Sequence, residues 1–154
     1  MHIELYTDGA SRGNPGPGGY GIILKYGEKI KEISQGYALT TNNRMELLAV
    51  IVGLEAIKWE NMRVIVYSDS KYVVDSVMKS WVFNWQRTGF KNKKNVDLWK
   101  RFLKIYDKHQ ISLQWVKGHA DNPWNNRCDE LATKAADGNN LLQDTIFEQE
   151  YYAR

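Results

Sequence analysis

Between Asn43 and Trp59 the side chains of Met45, Leu47, Leu48, Ile51, Val52, Leu54 and Ile57 fall at helical spacing, on nearly every side of the helix. A helix apolar all round must be covered by other elements rather than lie on a surface. The preceding residues supply strands. Ile3, Leu5 and Thr7 alternate with their neighbours as a strand ending at Asp8, and the loop SRGNPGPGG then breaks regular structure. Tyr20 to Tyr26 reads as a second strand, turned by Gly27 and Glu28 into a third that runs from Lys29 to Ala38. After the central helix, Val64 to Ser68 forms a fourth strand ending at Asp69. Ser70 is a good N-cap for a helix carrying Val73, Val74, Val77 and Met78. Trp81 to Arg87 and Asp97 to Lys108 are helical. Ile111, Leu113 and Trp115 alternate as a fifth strand, and Cys128, Leu131, Ala132 and Ala135 mark a last helix closed near Gly138.

This order describes an α/β domain with a five-stranded mixed sheet flanked by helices. The first strand is expected to be central, with the fourth parallel beside it. Ligands in such sheets gather at the carboxyl ends of adjacent strands, so Asp8 and Asp69 are expected to be neighbours. The 154 residues fit one domain, expected over residues 1–145, with 146–154 a flexible tail lacking periodicity. One cysteine, Cys128, excludes an internal disulfide framework and fits a reducing compartment. No secretory signal and no apolar run of membrane-spanning length are present, so a cytoplasmic protein is expected, away from membranes. The net charge of +3 permits attraction to nucleic acid without requiring it.

Four acids stand where strands end or on helices: Asp8, Glu46, Asp69 and Asp129. Each has an ordinary explanation. Asp8 before Gly9 can make a turn, and Glu46 can close a capping box with Asn43. Asp69 can favour the positive end of a helix, and Asp129 can pair with Arg127 or Lys134. One shared site is the more economical reading. Clustered carboxylates repel and raise one another's pKa unless a cation joins them. Magnesium prefers oxygen ligands and bridges carboxylates to phosphates, and a pair of such ions can promote in-line phosphoryl displacement. No Cys/His set with zinc spacing competes.

The motifs TDGASRGNPGPGGYG, TTNNRMELLA, SDSKYV, KNVDLW and WVKGHADNPWNNRCDELA, in this order, closely resemble bacterial type 1 ribonuclease H, from about Ile3 to Thr145. The resemblance implies a ribonuclease H-like fold and a monomeric endonuclease that cuts the RNA strand of an RNA–DNA hybrid, leaving 5′-phosphate and 3′-hydroxyl ends. It makes Asp8, Glu46, Asp69 and Asp129 the metal-binding catalytic acids, with Mg²⁺, replaceable by Mn²⁺, and two ions during catalysis. It adds His119, in a Gly-containing loop, as a proton shuttle or an aid to product release; a histidine titrating near neutrality suits either role.

The 2′-hydroxyl distinguishes RNA, and A-like duplexes display it in a wide, shallow minor groove. Ser11, Asn14, Asn42 and Asn43 offer small polar groups beside Asp8 and Glu46, although turn and cap chemistry also favours such residues. The resemblance places them along that groove and gives Thr41 and Asn95 to a DNA phosphate. Lys71 follows the SDS motif where an amide is common in the family, and Leu39 stands near where some relatives carry a basic residue; both departures bear on substrate grip. From Lys79 to Arg101, Trp81, Trp85, Phe90 and Trp99 interleave with seven basic residues against Asp97 alone. This stretch is expected to attract phosphates without reading sequence, with Trp81 and Trp85 packing against the DNA strand and Trp99 in the core. Two other readings compete: a relative that cuts or joins DNA, and a hybrid- or RNA-binding module without catalysis. Asn42 and Asn43 argue against the first. The complete acidic set argues against the second, because a binder gains nothing from negative charge facing phosphates.

Overall fold

The computed structural model describes residues 2–118 and 122–153. The elements run β1 (Ile3–Ser11), β2 (Gly16–Tyr26), β3 (Lys29–Thr40), α1 (Asn42–Glu55), β4 (Arg63–Ser68), α2 (Lys71–Met78) and α3 (Trp81–Arg87). They continue with α4 (Val96–Tyr106), β5 (Gln110–Trp115), α5 (Pro123–Asp137), β6 (Leu141–Leu142) and α6 (Thr145–Tyr152). The sheet order is β5-β4-β1-β2-β3-β6. β1 lies inside the sheet, antiparallel to β2 and parallel to β4, as the element order implies.

Alternation along the strands divides the core between two faces. Ile3, Leu5 and Ile22 join α1 on one face, while Tyr6, Ile23 and Cys128 of α5 form a smaller cluster on the other. Met45, Leu47, Ile51 and Leu54 of α1 are fully enclosed, each such side chain contributing about 1.5–3 kcal/mol of burial. Trp99 anchors α4 beneath them. Its ring meets Tyr72, Trp85 and Phe102 edge-on, and its indole N–H donates to the Tyr72 hydroxyl at 2.9 Å.

The structure departs from the sequence reading in three places. β1 and β2 continue through most of the Gly/Pro segment, because their ladder holds register from Asp8↔Gly21 to Ser11↔Gly18. A sixth strand is present, a two-residue pairing of Leu141 and Leu142 with Gly36 and Tyr37 of β3. The residues after it, read as lacking periodic structure, are helical over Thr145–Tyr152. Their entry point is fixed by Asp144, which is buried and bonded to Thr40 and Arg44, a long-range tether that leaves no mark on local periodicity.

Candidate active site

β1 carries Asp8 to the carboxyl end of the central strands, where the Gly9 amide donates to its Oδ1 at 2.9 Å. β4 ends one residue before Asp69. Ser70 then caps α2 by accepting from the Val73 amide, and the Trp115 indole of β5 donates to the Asp69 carbonyl at 3.0 Å. These bonds hold the backbone of Asp69 between strand and helix.

Glu46 arrives from α1. The N-cap of this helix is Thr41, whose hydroxyl accepts from the Arg44 amide at 3.3 Å; Glu46 therefore lies beyond the capping turn and makes no capping box with Asn43. Its position depends on Gly9. A Cβ there would lie 2.3 Å from the Glu46 nitrogen, so α1 rests directly on the backbone of β1. Gly21, opposite Asp8, plays the same part for α5: a Cβ would lie 2.2 Å from the Cys128 carbonyl oxygen. That close approach brings Asp129, the next residue, over the strand.

Asp8, Glu46 and Asp69 each offer a carboxylate oxygen within 4.8 Å of the others. Asp129 lines the same narrow cleft as Asp8 and Asp69, together with Gly118, Asn125 and Asn126. Arg127 turns away to Glu32 and Glu130, at 2.7 and 3.1 Å, so Asp129 is not its partner. Burial, then the charges of Asp69 and Asp129, push the Asp8 carboxyl up to about 8. Burial, then Asp8 and Asp69, raise Glu46 well above the usual carboxylate range.

This is the electrostatic signature of a cation site. Oxygens on opposite sides of one magnesium ion stand about 4 Å apart, comparable with the carboxylate spacing. Glu46 Oε2 and Asn125 Oδ1 are buried acceptors with no hydrogen-bond partner among the described residues, which a cation and its waters would satisfy. The donor set, all hard oxygen, therefore fits a divalent metal. Asn125 was not singled out from sequence; its place four residues before Asp129, on the same helical face, is the signal that could have found it.

The remaining expected residues that the structure describes lie in four places. Ser11 ends β1, Asn14 lies in the turn to β2, and Asn42 and Asn43 open α1; the Asn42 backbone amide donates to Asn14 Oδ1 at 3.1 Å, and the Ser11 hydroxyl donates to the Gly13 carbonyl. Thr41 and Asn95 both touch Arg44. Trp81 is exposed beneath Lys79, whereas Trp85 is half-buried, with Lys93 over its ring at 5.1 Å. Trp99 lies in the core as expected, and Phe90 is buried as well, which removes Phe90 from the cationic surface. Lys71 opens α2 with its ammonium 4.5 Å from the centre of the Trp115 ring. His119 lies outside the described residues.

The RNase H family model matches residues 1–137. Ribonuclease H of Lachnoclostridium phytofermentans is 52% identical over 96% of this chain and 100% of its own length. Ribonuclease H of Escherichia coli K12 is 51% identical over 96% and 97%. Among solved structures, LC9-RNase H1, described as a type 1 RNase H with the type 2 active-site motif, superposes with TM-score 0.79 at 32% identity, covering 99% of this chain and 81% of that one. LC11-RNase H1, solved in complex with an RNA/DNA hybrid, gives 0.66 at 29% identity over 88% and 96%. Identity of about one half along nearly the whole chain, on a shared fold, makes this chain a member of the ribonuclease H family.

Proposed function

We propose that the chain is a monomeric, cytoplasmic endonuclease that hydrolyses the RNA strand of RNA–DNA hybrids, leaving 5′-phosphate and 3′-hydroxyl ends. One observation carries the metal-dependent part of this reading: three carboxylate oxygens within 4.8 Å, two of them from buried residues. In a protein that merely bound nucleic acid such a cluster would repel the phosphates and destabilise the fold. The hybrid-bound relative supports the substrate.

Asp8, Glu46, Asp69 and Asp129 would hold Mg²⁺, or Mn²⁺ in its place, two ions being engaged during catalysis. When bound, the ions supply Lewis-acid activation of the attacking water and charge neutralisation at the leaving oxygen. The chain's own groups do the positioning. Asn14 and Asn42, already bonded to each other, present amides toward the minor groove with Ser11 and Asn43. Thr41 and Asn95 take a phosphate of the DNA strand. Lys71, Trp81 and Trp85 extend the contact, and the exposed lysines 91, 93 and 94 add charge without sequence preference. His119 receives its proton-transfer or product-release role from the resemblance alone.

The test is cleavage of a labelled RNA strand paired with DNA, with Mg²⁺ present and then chelated. Cutting confined to the RNA strand and abolished by chelation is the expected result. A folded protein that binds hybrid but leaves it intact with either Mg²⁺ or Mn²⁺ would overturn the catalytic assignment, and equal cutting of duplex DNA would redirect the substrate.

A further inference from the structure

Arg44 is 3% exposed and lies in the first turn of α1, the positive end of a helix, where a cation is unfavourable. Its five N–H donors are all engaged. Nε and Nη2 donate to the two Asp144 oxygens at 2.7 and 2.9 Å. Nη1 and Nη2 donate to Asp97 at 2.9 and 2.7 Å, and the remaining Nη1 hydrogen reaches Asn95 Oδ1 at 3.4 Å. Asp97 belongs to the first turn of α4 and Asp144 precedes α6, so three helix starts meet on one guanidinium. The Thr40 hydroxyl completes the group by donating to Asp144 at 2.7 Å.

Buried ion pairs are poor stabilisers compared with apolar packing of the same volume, and geometric specificity is one recognised reason to retain them. Here the geometry falls on two residues. Asn95 occupies the N-cap position of α4 at φ 61°, yet its side chain caps nothing. Its amide oxygen faces Arg44 instead, and its nitrogen donates to the Tyr72 hydroxyl at 3.1 Å. A guanidinium can only donate, so it fixes which end of the Asn95 amide faces inward and leaves the second N–H of Nδ2 for another acceptor. The backbone of the same arginine donates to Thr41. Arg44 thus touches both groups assigned to the DNA phosphate, but the guanidinium that Asp97 and Asp144 brace reaches only Asn95, while Thr41 is held by the backbone.

We propose that Arg44, braced by Asp97 and Asp144, is a positioning residue for substrate grip, and that the C-terminal segment contributes to hybrid binding through Asp144. This rests on the phosphate-binding role given to Thr41 and Asn95. The experiment is a double-mutant cycle of Asp144→Asn and Asn95→Ala, read by hybrid binding in chelator through fluorescence anisotropy and by KM and kcat with Mg²⁺. Each single variant is expected to weaken binding about three- to tenfold, the worth of a hydrogen bond. For Asp144→Asn the change should appear in KM with kcat retained. In the Asn95→Ala background the Asp144→Asn effect should largely vanish, the mark of two residues acting through one contact. Equal effects of Asp144→Asn in both backgrounds would overturn the positioning role while leaving the phosphate reading intact. Unaltered binding by Asn95→Ala would remove the phosphate reading and the proposal with it. Asp97→Asn, which loosens Arg44 through its other brace, repeats the cycle if Asp144→Asn does not fold.

Discussion

Gly21 faces the carbonyl of Cys128 so closely that a Cβ would stand 2.2 Å from the oxygen. Gly21 is also the cross-strand partner of Asp8, so the absence of a side chain at this position sets the distance between the central aspartate and the helix bearing Asp129. Gly21→Ala must therefore push α5 outward or bend β2, at a cost of about 1–3 kcal/mol. The expected protein is folded and melts lower. It should need about tenfold more Mg²⁺ for half-maximal cleavage, because small displacements of catalytic groups are costly. Metal titrations of activity and of melting temperature check this, and a wild-type Mg²⁺ requirement would show that the seat of α5 does not set Asp129.

Asp69 sits at the junction of β4 and α2, with its backbone held by Trp115. Asp69→Asn keeps the shape and removes the charge. Cleavage of hybrid should fall below detection, while circular dichroism stays that of the parent and hybrid binding in chelator is retained or tightened. Near-normal turnover by the folded variant would sink the metal-site assignment.

The exposed lysines 91, 93 and 94 follow α3, and only Lys93 is drawn toward an aromatic face, that of Trp85. If each meets one phosphate, replacing all three by glutamine should flatten the slope of log affinity against log salt by about two to three. Affinity measured at several salt concentrations decides this. An unchanged slope would move the DNA contact elsewhere.

The central place of β1, the parallel β4 beside it and the meeting of Asp8 with Asp69 were legible in the sequence, because they follow from local patterns: alternation, a buried helix, and acids at strand ends. The burial of α1 was legible for the same reason. Hidden from a local reading were contacts that periodicity does not encode. Gly9 and Gly21 read as loop or strand glycines until the helices packed on them are seen. Asp144 lies in a stretch without pattern, and its bond to Arg44 spans 100 residues. Phe90 looked like part of a cationic surface, yet it is buried with Trp99, since composition does not say which way a ring turns.

The raised pKa values in the cleft make a prediction with a definite sign. The Asp8 carboxyl is pushed up to about 8 by burial and then by Asp69 and Asp129, whereas an unfolded aspartate titrates near 3.9. Between those values the folded chain holds a proton that the unfolded chain releases. The corresponding stability is full below about pH 4 and is lost as pH rises through about 8. Asp8→Asn removes this dependence and keeps an acceptor for the Gly9 amide. Without metal, the variant should melt higher than the parent, and by more at about pH 8.5 than at about pH 5.5. Each kilocalorie gained corresponds to about 2–4 °C for a domain of this size. Added Mg²⁺ should narrow the gap by stabilising the parent alone, most strongly at high pH, where the carboxylates are ionised. Calorimetric melts at both pH values, with chelator and then with Mg²⁺, read the outcome. An Asp8→Asn protein less stable than its parent in chelator at high pH would show that the acids are not in conflict, and the electrostatic argument for a metal between them would fail.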